Sequence, residues 1–204
     1  MKILAVGRNY AEHIKELNNE RPAEPVIFSK PDTALLLHNM PFYYPSFSQD
    51  VHYEVELVLR IGKEGKHIAE KFALQYIDAI GIGIDFTARD WQQKAKEKGL
   101  PWELSKGFNG AAPVSDKFIP LKDFKDLRNI NFSLEIDGKK AQSGNTSLML
   151  FSFEYILCWI AKFITLRTGD YIFTGTPSGV GPVAVGNRLC AFIENEKLLD
   201  FEIK

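Results

Sequence analysis

Apolar and polar residues alternate with a period of two along YEVELVLRIG (53–62). Tyr53, Val55, Leu57, Leu59 and Ile61 therefore fall on one face of a strand, and Glu54 and Glu56 on the other. The same period runs through AIGIGIDF (79–86), where Ile80, Ile82 and Ile84 alternate with Gly81, Gly83 and Asp85. KILAV (2–6) and VIFS (26–29) read as shorter strands, separated by a short helix carrying His13 and by the polar, Pro-bearing connection NNERPAEP (18–25). Pro31, Pro41 and Pro45 punctuate the stretch up to Asp50, which predicts short strands and turns. Helices are expected around Ile68–Gln75, over TARDWQQKAKEKG (87–99) with Thr87 as cap and Gly99 as stop, and over 149–163. Asp137-Gly138 within FSLEIDGKKAQ (132–142) marks a hairpin turn, and RLCAFIE (188–194) with KLLDFEIK (197–204) predicts a second hairpin. Strands dominate without regular βαβ succession, so the expected class is α+β with a largely antiparallel or mixed sheet, in one domain over 1–204.

Charge removes some partners from consideration. Lys and Arg total 25 against 26 Asp and Glu in 204 residues, so no global field recruits nucleic acid or an anionic membrane, and a small neutral or anionic ligand fits better. The opening MKILAVGRNY has an apolar run that ends at Gly7 and Arg8, too short for a secretory segment. No stretch approaches the ~20 apolar residues of a spanning helix. Cys158 and Cys190 lie far apart with no CxxC spacing, against a zinc ribbon or a disulfide scaffold. The expectation is a soluble protein of a reducing compartment, the cytoplasm.

Candidate chemistry starts from the polar face of 53–62. Glu54 and Glu56 at i, i+2 have roots about 7 Å apart, close enough to converge on one ion. Alternating glutamates also describe an ordinary wetted face. Asp85 changes the balance, because glycine in a strand often marks close approach of a ligand or another backbone, and its same-face neighbours are Gly81 and Gly83. Three carboxylates meeting in a partly buried pocket would repel one another unless a cation sat among them. All-oxygen ligation suits Mg²⁺ or Mn²⁺, with Ca²⁺ also fitting, whereas Zn²⁺ would call for His or Cys. His13 and Glu16, three apart on their helix, read by themselves as a surface pair. FTGTPSGVG (173–181) lacks the Gly-Lys-Ser/Thr ending of a phosphate loop and reads instead as a turn whose N–H groups meet a carboxylate.

Five ordered blocks, GRNYAEHIKEL, YEVELVLRIG, GIDFTARDWQ, KGLPWELSKGF and FTGTPSGVG, closely resemble the fumarylacetoacetate hydrolase family over nearly the whole chain. GRNY and KGLPW look most like its acylpyruvase and oxaloacetate-decarboxylase branch. The resemblance implies a rolled mixed β-sheet with few peripheral helices, a homodimer, and a divalent metal at Glu54, Glu56 and Asp85. It places the catalytic pair at His13 and Glu16 on a mobile lid within 1–25, and the active-site lysine at Lys106. Arg89, Gln92 and Thr176 match substrate-facing positions. The implied reaction is hydrolytic C–C cleavage of acylpyruvate-type 2,4-dioxo acids through a pyruvate enolate, with His13 and Glu16 activating water. The alternatives are an oxaloacetate decarboxylase or tautomerase, a 2-hydroxyhepta-2,4-diene-1,7-dioate isomerase, or an inactive metal-binding protein. Near Lys106, Asn109 and Ser115 depart from the family pattern.

Overall fold

Every residue of VELVLRI is buried except Arg60, so this strand has no wet face. The neighbours explain why. A computed structural model describing residues 1–204 contains, in chain order, β1 (Ile3–Gly7), α1 (Ala11–Glu16), β2 (Val26–Lys30), β3 (Val55–Ile61) and β4 (Ile77–Ile84). There follow α2 (Arg89–Lys98), α3 (Glu103–Lys106), β5 (Ile119–Pro120), β6 (Asn131–Ile136), β7 (Lys139–Asn145), α4 (Phe153–Phe163), β8 (Tyr171–Phe173), β9 (Arg188–Ile193) and β10 (Glu196–Glu202). The larger sheet has the order β2-β1-β8-β3-β4-β5. Only β1 and β8 run parallel, so the sheet is mixed and β3 lies inside it. A second, antiparallel sheet, β7-β6-β9-β10, packs against β3 and β4. A cluster of 43 buried apolar residues, including Leu57, Ile82, Leu134 and Ala191, fills the space between the sheets, which is what buries the second face of β3. The predicted α+β class with few peripheral helices is the observed one. No helix is long and apolar enough to cross a membrane.

Several elements differ from the sequence reading. Thr87 does not cap α2: it lies in the short strand Thr87–Ala88, buried, and its hydroxyl donates to the Asp85 carbonyl at 3.3 Å. Gly99 does end α2, in the left-handed region at φ 63°. The helix expected at 68–75 is a 3₁₀ turn over Glu70–Tyr76 that runs directly into β4. α4 starts at Phe153 and not at 149, because the Ser152 hydroxyl accepts the Tyr155 N–H and fixes the first turn there. At the predicted hairpin, Asp137 and Gly138 both take positive φ, 52° and 74°, as a two-residue turn between twisted strands requires.

The bare face of β4 serves packing. A Cβ on Gly81 would stand 2.8 Å from the Phe118 ring and from Ser115 Oγ, and one on Gly83 would stand 2.7 Å from the Phe173 ring. The close approach signalled by these glycines is that of neighbouring side chains, and Asp85 beyond them carries the chemistry.

Candidate active site

Glu54 occupies the break between the short strand Val51–Tyr53 and β3. Its carbonyl accepts the Asp85 N–H at 2.8 Å, and Glu56 is in register with Gly83. Antiparallel pairing of β3 and β4 thus carries all three carboxylates to one end of the sheet. They are 4%, 2% and 1% exposed for Glu54, Glu56 and Asp85, and their ligand oxygens lie within 4.8 Å of one another. Charges this far from water need partners.

The partners come from distant segments. Lys106 Nζ, at the end of α3, donates to Glu54 Oε2 at 2.8 Å and to Asp85 Oδ2 at 2.6 Å. Lys30 Nζ, at the end of β2, pairs with Asp85 Oδ1 at 2.6 Å and donates to the carbonyls of Lys106 and Ala111. Arg89, the first residue of α2, donates from Nη2 to Glu54 Oε1 and from Nη1 to Gln92 Oε1. The Gly175 N–H donates to Glu56 Oε2 at 2.7 Å. Burial raises the Glu54 carboxyl pKa, but Lys106, Arg89 and His13 outweigh it and hold Glu54 below the ordinary range. Glu56 goes the other way: burial, then Asp85 and Glu54, push it well up. Lys106 is drawn down by burial and raised further by Asp85 and Glu54, so it is a fixed cation.

These residues fit a hard divalent cation. The donor set is carboxylate oxygen alone. No hydrogen bond reaches Glu56 Oε1, whose partner oxygen takes the only one. The site's demand for positive charge is visible in the Lys106 ammonium, which bridges two of the three acids.

α1 covers this cluster. His13 is 5% exposed and lines the cavity; its Nδ1 meets Glu16 Oε2 at 3.3 Å. Glu16 itself lies behind His13 and accepts the Gly179 N–H at 3.0 and 3.3 Å on its two oxygens. The amino-terminal helix therefore rests on the FTGTPSGVG turn. Burial lowers the His13 pKa, opposed by Glu54 and Glu16. The cavity is small, about 30 Å³, with Thr176, Gln92, Phe28 and Trp102 in its wall. The Phe28 and Trp102 rings meet edge to face at 5.7 Å.

Every residue assigned from the sequence reaches this region: His13, Glu54, Glu56, Asp85, Arg89, Gln92, Lys106 and Thr176 line the cavity, with Glu16 bonded behind. Neither departure near Lys106 enters the wall: Asn109 is exposed, and the buried Ser115 Oγ accepts the Ile82 N–H. His52 sits outside the wall, bonded to Asp50 at 2.9 Å. Three contributors were missed. Lys30 is fully buried, although a lysine ending a strand reads as exposed. Gln142 on β7 accepts the Val55 N–H at 2.9 Å and donates to Thr176 Oγ1 and the Pro177 carbonyl, tying the backbone between the two glutamates to the turn. Asn9 donates to the carbonyls of Thr174 and Phe151 and accepts the Phe151 N–H, anchoring the entry to α1.

Comparison with known proteins accords with this geometry. The family described as "Fumarylacetoacetate (FAA) hydrolase C-terminal" matches residues 2–203. A mitochondrial oxaloacetate decarboxylase of Dictyostelium discoideum is 45% identical over 204 residues, 99% of this chain and 93% of the relative. A mitochondrial oxaloacetate tautomerase of Bos taurus is 40% identical over 202 residues, covering 99% and 91%. The structure of fumarylpyruvate hydrolase from Pseudomonas aeruginosa, in complex with Mn²⁺ and pyruvate, superposes with a TM-score of 0.93 at 34% identity, covering 100% of this chain and 89% of that one. The mitochondrial names of the oxaloacetate-converting relatives overturn the expectation of a cytoplasmic protein; balanced charge and unpaired cysteines do not separate one reducing compartment from another. The chain belongs to the fumarylacetoacetate hydrolase family, with the oxaloacetate decarboxylase and tautomerase branch.

Proposed function

We propose that the protein interconverts the oxo and enol forms of oxaloacetate with Mg²⁺ or Mn²⁺ as cofactor. The observation that carries this reading is the placement of His13. It lines the cavity beside the carboxylates with Nδ1 occupied by Glu16, so Nε2 is the ring nitrogen left to meet a ligand. Burial keeps the ring neutral near pH 7, as a proton acceptor must be. Relatives named for oxaloacetate chemistry, at 45% and 40% identity, shift the weight from acylpyruvate hydrolysis to its alternative.

Glu54, Glu56 and Asp85 would hold the ion, and when bound it would supply the Lewis acidity that makes the C3 hydrogens beside a 2-oxo group acidic. His13 Nε2 takes a proton from C3, and Glu16 at Nδ1 stabilises the imidazolium. The C–H electron pair becomes the C2–C3 double bond while the carbonyl pair moves to oxygen. Lys106 offsets that charge as a fixed cation. His13 then returns the proton to the oxygen, and no water is consumed. Arg89, Gln92 and Thr176 orient the ligand from the cavity wall. A second reading, in which the C3–C4 bond breaks to release CO₂, its electron pair forms the enolate, and C3 is then protonated through His13 with a proton taken up from solvent, is favoured by the 45% identical decarboxylase.

The test is a panel of oxaloacetate, acylpyruvates and 2-hydroxyhepta-2,4-diene-1,7-dioate, run with Mg²⁺, Mn²⁺ and chelator. Oxaloacetate tautomerisation should be the fastest reaction and vanish with chelator. His13→Gln should lower it roughly 10²–10⁴-fold with metal binding retained. Faster cleavage of acylpyruvates would restore the hydrolase reading, and metal binding without turnover would leave an inactive metal-binding protein.

A further inference from the structure

Arg89, Gln92 and Lys96 lie at i, i+3 and i+7 of α2, on one helical face, and all three line the cavity. Arg89 is committed to Glu54 and Gln92. Lys96 has no such partner. Across the wall stands Arg8, likewise without an acidic partner. The acids of the cavity wall are Glu54, Glu56 and Asp85; Lys30, Lys106 and Arg89 are all paired with Asp85 or Glu54, and Glu56 takes the Gly175 N–H. Arg8 and Lys96 are therefore the lining cations that no carboxylate of the wall holds.

Their placement is held by the fold. Arg8 takes a left-handed backbone conformation at φ 62°, uncommon for a residue of its size. The adjoining Asn9 clamps that turn through Phe151 and Thr174. Arg8 and Arg89 repel Lys96, adding to partial burial in lowering its affinity for a proton; an uncompensated cluster behaves this way.

We propose that Arg8 and Lys96 bind the second carboxylate of a four-carbon 2-oxo dicarboxylate, and so select dicarboxylates over 2-oxo acids with uncharged tails. This rests on the reading of the cavity as an oxaloacetate site and names the residues that recognise the far end of the substrate. Charge supports it: Lys30, Lys106, Arg89, Arg8 and Lys96 outnumber the three acids, so the site carries excess positive charge for an anionic ligand even before a divalent cofactor adds to it.

The test uses ligands that cannot enolise, so that binding is read apart from turnover. Malate and its 4-methyl ester share the four-carbon skeleton and the C2 oxygen and differ by the distal charge. Titration calorimetry of the Mg²⁺-loaded protein should show malate binding about tenfold more tightly than the ester. Lys96→Gln and Arg8→Asn should each lower that ratio severalfold, and added salt should narrow it in the wild type. Asn tolerates the left-handed backbone at position 8; if Arg8→Asn nevertheless melts early, Lys96→Gln, on an exposed position of α2, decides. Equal affinities in the wild type, or a ratio unchanged in Lys96→Gln, would overturn the assignment. Loss of the malate preference in the variants, in a protein that does not turn over oxaloacetate, would uphold the subsite and sink the tautomerase reading.

Discussion

A histidine that takes a proton must be neutral when substrate arrives, and burial secures this for His13 by lowering its pKa from the ordinary 6.5. The acid limb of kcat/KM should then fall below pH 6.5. Because the Glu16 hydrogen bond raises the His13 pKa, Glu16→Gln should move that limb to still lower pH while lowering the rate, as a pH-rate profile would show. Lys30 makes a separate point. Lys30→Met leaves one Asp85 oxygen without its cation and takes the ammonium donor from the Lys106 and Ala111 carbonyls, a loss of about 3 kcal/mol in urea unfolding. The sequence marked Glu54, Glu56 and Asp85 by residue type and spacing, and His13, Glu16 and Lys106 by their blocks. It could not mark Lys30, since its ion pair is made 55 positions along the chain and no local pattern records that.

At the scale of elements, β3 and β4 were legible because a period of two survives burial on both faces. The same burial hid which face would be wet. Helix limits were less legible: tertiary pairing drew Thr87 into a strand, and a side-chain cap moved the start of α4. The β9–β10 hairpin offers a pH test. Hydrogen bonds from Arg188, then Lys197, hold the Asp200 carboxyl at about 2, below its ordinary 3.8. The ionised form is therefore favoured in the folded state, and its contribution is full above pH 3.8 and lost as pH falls through about 2. Surface pairs of this kind contribute about 0–1 kcal/mol. Asp200→Asn should be less stable than wild type at neutral pH and close to it near pH 2, compared by urea unfolding. Gly83→Ala tests the packing account of the bare face of β4: with the Phe173 ring 2.7 Å from the new methyl, a loss of about 1–3 kcal/mol is expected.

Across the whole molecule, the site joins α1, one end of the β3–β4 pair, α2, α3 and the turn after β8, so it exists only when the sheets are assembled. A cofactor that binds the folded triad and not the unfolded chain should stabilise the protein by about 2.7 kcal/mol at a hundred times its Kd. Chelator should lower the melting temperature accordingly, and Glu56→Gln should lessen this dependence. One wall of the cavity has an optical consequence. Of the three tryptophans in the chain, Trp102 alone lines the cavity, while Trp91 packs on Phe47 and Trp159 on Phe163. The indole emission of Trp102 is therefore a built-in reporter of occupancy: ligand entry should change the intensity or colour of the fluorescence, and Trp102→Phe should silence that signal without a label ever being attached.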